Sequence, residues 1–148
     1  MTDGPLKLSA EDIDDLTVIS ACLQDAVTHG NEFVFQAKQR RFVATFSRFM
    51  WEKSSVKALA GNRRIHTGIH FDGVLDARFR GLNRDADQVL ELLSIVGQPG
   101  DDGSATIVLE FAGGGAIQLE VECVACYLSD IGKPWRASRR PSHDLDPE

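Results

Sequence analysis

Several residue types are scarce in this chain of 148 residues: it has three cysteines, two tryptophans, one tyrosine and five prolines. An odd, small number of thiols argues against a disulfide framework and for reduced cysteines, as in a cytoplasm. No apolar run approaches the ~20 residues of a membrane-spanning helix, so no membrane partner is expected. The opening Met1-Thr2-Asp3-Gly4-Pro5 has neither the basic stretch nor the apolar run of an export signal, and a cytoplasmic location is the expectation. Positive charge is in deficit, with a net charge of −6. Chain-wide affinity for nucleic acid needs the opposite sign, so nucleic acid is disfavoured as a partner and only a local basic patch stays open.

What is present is ordinary globular material. The apolar fraction is 43% and the charged fraction 26%, enough for one core in one domain. The clearest pattern runs from Ala105 to Cys123. Ile107, Leu109 and Phe111 alternate with polar neighbours, Gly113-Gly114-Gly115 interrupts, and Ile117, Leu119 and Val121 alternate again. Period-two alternation on both sides of a glycine cluster predicts a β-hairpin.

Residues 9–29 read as one long helix. Leu16, Ile19, Leu23 and Ala26 share a face, Ser9 and Asp12 form a capping-box pattern, Leu8 and Ile13 a hydrophobic staple, and Gly30 a stop. After Gly30 the period changes to two. Phe33, Phe35 and Ala37 alternate, then Phe42, Ala44 and Phe46. Phe49 and Trp51 fall on the opposite parity, which predicts a bulge near Ser47-Arg48 or a strand buried on both faces. Residues 53–62 read as a loop. Residues 64–80 are extended, with Asp72-Gly73 as a bend. Residues 90–97 are read as a strand in preference to a helix. From Asp130 the composition turns tail-like, and Trp135 is expected to dock onto the body and hold that segment.

Each candidate site has a structural competitor. Cys123 and Cys126, at i and i+3 on a strand, point to opposite faces and cannot share a metal ion. His66 and His70 share a strand face but lie about 13 Å apart, beyond one ion. His70 and Asp72 are close enough for a hydrogen-bonded or acid-base pair. The triple glycine runs from strand to strand without a lysine, unlike a phosphate loop. Glu11, Asp12, Asp14 and Asp15 suit a helix N-terminus without any metal. No metal and no cofactor is therefore expected. Arg48, Arg78 and Arg80 are the strongest candidates. Either Gln118, Glu120 and Glu122 on the second hairpin arm neutralise them across the sheet, or they form an anion- or partner-binding patch. His143, with Asp144 beside it, can reach a cleft if the C-terminal segment folds back.

Several stretches together resemble a known family. They are Leu16-Thr17-Val18-Ile19-Ser20-Ala21 with Leu23-Gln24-Asp25-Ala26, Arg40-Arg41-Phe42, Arg48-Phe49-Met50-Trp51-Glu52 and Phe111-Ala112-Gly113-Gly114-Gly115-Ala116-Ile117. Val121-Glu122-Cys123, Asp130-Ile131-Gly132, Trp135 and Pro141-Ser142-His143-Asp144-Leu145 complete the set. The chain resembles domain-of-unknown-function family 2948, small alphaproteobacterial proteins. That resemblance covers nearly the whole chain and implies no activity, so no catalytic residue is carried over from it.

The expected fold is α+β: one N-terminal helix packed on a curved, mainly antiparallel sheet of about six strands, with a partial barrel as one form of its curvature. Residues 1–132 are expected to form the domain and residues 133–148 a tail held through Trp135. The expected role is a binding or protein-interaction module without chemistry of its own, taking a protein partner or a small anionic ligand, with a homodimer left open. The alternative is a small enzyme on an anionic substrate, arginines orienting it and a histidine serving as acid-base. Ligand-binding candidates are Arg48, Arg78, Arg80, His70, Asp72 and His143.

Overall fold

The computed structural model describes residues 6–50, 63–83 and 87–136. The expected loop over 53–62, His143 and the end of the tail lie outside the described residues. The helix is shorter than its apolar stripe. Strand β1 (Lys7–Ala10) comes first, and α1 spans Ile13–Cys22. Asp12 caps α1, its side chain accepting from the Asp15 N–H at 2.8 Å, and Asp15 reaches back to the Glu11 N–H at 3.1 Å. The helix stops at Leu23 because the sheet claims the following backbone. Asp25 turns at φ 64°, its N–H bonds the Leu92 carbonyl, and the Leu92 N–H bonds the Ala26 carbonyl. Ala26, just ahead of β2 (Val27–His29), and Thr28 within it are then buried by the sheet, not as further turns of helix.

The remaining strands are β3 (Val34–Gln36), β4 (Arg41–Phe49), β5 (Arg63–Asp72), β6 (Val74–Arg80), β7 (Val89–Pro99), β8 (Ala105–Phe111), β9 (Ala116–Val121) and β10 (Cys126–Arg136). Among the described residues the sheet therefore has ten strands where about six were expected, all paired antiparallel in the order β1-β10-β5-β4-β2-β7-β8-β9-β6, with β3 also on β4. The hairpin of β8 and β9 and the strand reading of 90–97 hold. The sheet does not close into a barrel: β1 and β6 are its two ends. It curls enough for Phe33 to meet Phe42, Phe79 and Phe111 with ring centres 5.8–6.1 Å apart.

Two glycines shape the frame. Gly73, at φ +72°, breaks the long extended run, so that β5 pairs with β4 and β10 while β6 pairs with β9. Gly97 lets α1 lie on β7. A Cβ there would come 2.9 Å from Leu16 Cδ1 and 3.3 Å from Ile13 Cγ1. Ser20 of α1 also accepts a hydrogen bond from the Ile95 N–H at 2.9 Å. No described helix is long and apolar enough to cross a membrane.

Candidate functional site

The structure distributes the candidate residues over three places. The first is inside the sheet. Phe42, Ala44, Phe46 and Arg48 alternate onto the core face of β4, and all four are buried. Register with β5 is unbroken from Arg41–Asp72 to Phe49–Arg64, so no bulge explains the parity slip. Phe49 is buried as well, and the end of β4 is covered on both faces.

Arg48, at 0% exposure, occupies a slot that a hydrophobic residue would fill. Asp130 on β10 and Thr67 on β5 share that face. Arg48 Nε and Nη2 donate to the two Asp130 carboxylate oxygens, each at 2.9 Å. Thr67 Oγ1 donates at 2.7 Å and the Leu6 N–H at 3.0 Å. Burial pushes the Asp130 carboxyl up, but the hydrogen bonds from Arg48, Thr67 and Leu6, with the Arg48 charge, outweigh it and hold the group below its usual value. The arrangement ties β1, β4, β5 and β10 together. Asp130, read as the start of a tail, is a core residue. Its parity with Cys126 and Leu128 was the available signal.

The second place is the outer face of β6, β9 and β8. Strands β6 and β9 do adjoin, yet the expected neutralisation is not what the register produces. Arg78 lies opposite Gln118, Arg80 opposite Ala116, and Asp76 opposite Glu120. Arg78 pairs with Asp76 on its own strand at 3.0 Å, and Glu122 pairs with Arg40 at 3.3 Å. Arg78 and Arg80 line one wall of a trough of about 470 Å³, with Val108 and Glu110 on the other side.

The third place is the outer face of β4, β5 and β10. His70 Nε2 lies 3.8 Å from Asp72, whose other oxygen accepts from Arg41 Nε at 2.7 Å. The Tyr127 ring stacks near His70 with centres 5.0 Å apart, and the Trp135 ring near His66 at 4.7 Å. Gly132, at φ +75°, sits in the register shift between Ile131 and Trp135 that returns Trp135 to pairing with Arg64. Between the two aromatic pairs, Ile131 lies over Gly68, where a Cβ would meet its Cδ1 at 3.2 Å. Tyr127 and Trp135 are each 38% exposed and Ile131 is 51% exposed. Sequence reasoning placed the histidines on this face but did not find Tyr127 and Ile131, because their neighbours come from pairing distant in the chain.

Other hollows hold less. His29, His66 and Ser47 line a cleft of about 190 Å³ where β2 leaves β4. A wider hollow of about 770 Å³ lies between the start of α1 and the β7–β8 turn, with Asp12, Ile13 and Cys123 in its wall. None of these three clefts contains His70 or Asp72. Among the described residues, no group of three or more histidine, cysteine or acidic side chains is placed to hold a metal ion.

Comparison with curated proteins and with solved structures finds no match. The family model described as protein of unknown function (DUF2948) matches residues 6–143, and the chain belongs to that family.

Proposed function

We propose that this protein is a non-enzymatic binding module that receives a protein partner on the outer face of β4, β5 and β10. The observation that carries this reading is the exposed row Tyr127, Ile131 and Trp135, two of its rings backed by His70 and His66. Large, amphipathic rings held on rigid strands are what interface anchors are made of. The surrounding charge selects the partner. Lys7, Arg41 and Arg64 lie on this face with Asp72 beside Arg41, while Asp25 and Glu91 act on Arg64 from its edge, in a chain whose net charge is −6. An apolar surface rimmed by acidic residues is the complement.

The enzymatic alternative is less well supported. His70 and Asp72 form the pair it needs, but they lie on this open face, away from the three clefts. The exposed thiol of Cys123 suits a reducing cytoplasm.

Affinity capture from native extract, quantified by mass spectrometry, tests the reading. Wild type and Val18→Glu, a change on the exposed side of α1, should retain the same partner. Ile131→Glu should lose it while keeping the fold. Identical capture by all three proteins, or none by wild type, rejects the docking face.

A further inference from the structure

The trough on β6, β9 and β8 is separate from the aromatic face and does not depend on it. Two rows of side chains cross it, Arg80–Ala116–Glu110 and Arg78–Gln118–Val108, and a third row, Asp76–Glu120–Thr106, lies beside it on the same face. The third row is closed on itself. Thr106 Oγ1 and Gln118 Nε2 both donate to Glu120 at 2.8 Å, and Asp76 accepts from Arg78. A carboxylate only accepts, so Gln118 must turn its amide nitrogen to Glu120. Its Oε1 is thereby left as a fixed acceptor in the trough.

The first row is open. Among the described residues, neither Arg80 nor Glu110 has an ion-pair partner within 4.0 Å. The side chain between them is a single methyl, that of Ala116. Two strand spacings separate them, about 9.6 Å between backbones. The two side chains rise on either side of the Ala116 methyl, and the gap between their charged ends is open to a ligand. The floor there is apolar, made by Ala116 and Val108, and the space of about 470 Å³ is ample for a few carbon atoms. A cation, an anion, a neutral acceptor and an apolar floor at this spacing describe a receptor for a molecule carrying both charges.

We propose that the trough binds a small zwitterion of amino-acid or dipeptide size. Arg80 takes the carboxylate, with Arg78 alongside. Glu110 and the Gln118 Oε1 take the ammonium, and the carbon skeleton rests on Val108 and Ala116. The Thr106–Glu120–Gln118 ladder holds the acceptor in place before the ligand arrives.

The test titrates the intact, ¹⁵N-labelled protein with L-alanyl-L-alanine, its N-acetyl derivative and its C-terminal amide. Saturable shifts are expected at the Gln118, Ala116 and Gly114 amides with the free dipeptide. Either cap should weaken binding about tenfold or more, the cost of losing one charged hydrogen bond. Arg80→Gln should abolish the preference for the free carboxylate, and Glu110→Gln the preference for the free ammonium. Both positions are exposed, so both variants should keep the wild-type spectrum elsewhere. Absence of saturable shifts, equal binding of the capped forms, or indifference to both variants overturns the proposal. So does energetic coupling between the two substitutions in unfolding without ligand, which would make Arg80 and Glu110 each other's partner.

Discussion

Arg48 and Asp130 meet inside the sheet through two parallel hydrogen bonds, Nε to Oδ1 and Nη2 to Oδ2, both 2.9 Å. Their side chains are 0% and 1% exposed. Taking both charges out of water costs several kcal/mol per ion, and the fork geometry with the Thr67 and Leu6 donors offsets this. Removing one partner takes from the other its buried, oppositely charged fork. Asp130→Ala and Arg48→Met are each expected to lower unfolding free energy by about 3–5 kcal/mol. Thr67→Val removes one donor to the carboxylate and should cost about 1.5 kcal/mol. Arg48→Met combined with Asp130→Leu should recover much of the loss, since no charge is then stranded. Urea unfolding of the four variants checks this. Additive losses in the double variant would contradict it.

The same pair sets the acid limit of the fold. The folded Asp130 carboxyl sits below its unfolded value near 3.9, net of burial acting in the opposite direction. A depressed carboxyl contributes stability that is complete above the unfolded value and is lost as pH falls through the folded one. Unfolding midpoints measured from about pH 5 down to about pH 2 should fall steeply in wild type. Asp130→Asn should start lower and fall less. An equal slope in both proteins would show that other carboxylates carry the acid transition.

Arg48 also shows what could be read beforehand. Its parity with Phe42, Ala44 and Phe46 put it on the core face, but an arginine is rarely buried, and residue type outweighed position. The charged partner that makes the burial tolerable comes from β10, 82 residues away. The helix start was misplaced: Ser9, read as the cap, is a strand residue of β1 paired with Tyr127, and the cap is Asp12. Its end was misplaced as well, because the stripe through Leu23 and Ala26 continues into residues buried by pairing with β7. The β8–β9 hairpin was legible because alternation and turn lie within one short stretch. Strands β1 and β2, with four and three residues, are too short to show a period beside the helix stripe, and β10 was hidden because its second half was read as tail, which is why about six strands were expected where the described residues form ten. At the candidate surfaces, the separation of the arginines was hidden for the same reason. Which acid faces which base is decided by register between strands, and Arg80 meets an alanine.

His70 offers a last prediction, on the proposed docking face. Burial lowers its affinity for a proton, Asp72 raises it, Arg41 lowers it, and the net direction is downward from the ordinary 6.5. An NMR titration should place its midpoint below 6.5. Arg41→Gln should move that midpoint up, by removing a cation and freeing Asp72 toward the imidazole. Asp72→Asn should move it down. Because the folded value is lowered, the folded protein binds fewer protons than the unfolded chain between the two values, so His70 weakens the fold as pH falls through that window. Binding should run the other way. Below the midpoint an imidazolium under Tyr127 adds positive charge to a face that already presents Lys7, Arg41 and Arg64, and an acidic partner should bind more tightly there. His70→Gln should remove the part of this pH dependence that follows the His70 titration curve. Binding that strengthens on acidification equally in His70→Gln would assign the effect to another group.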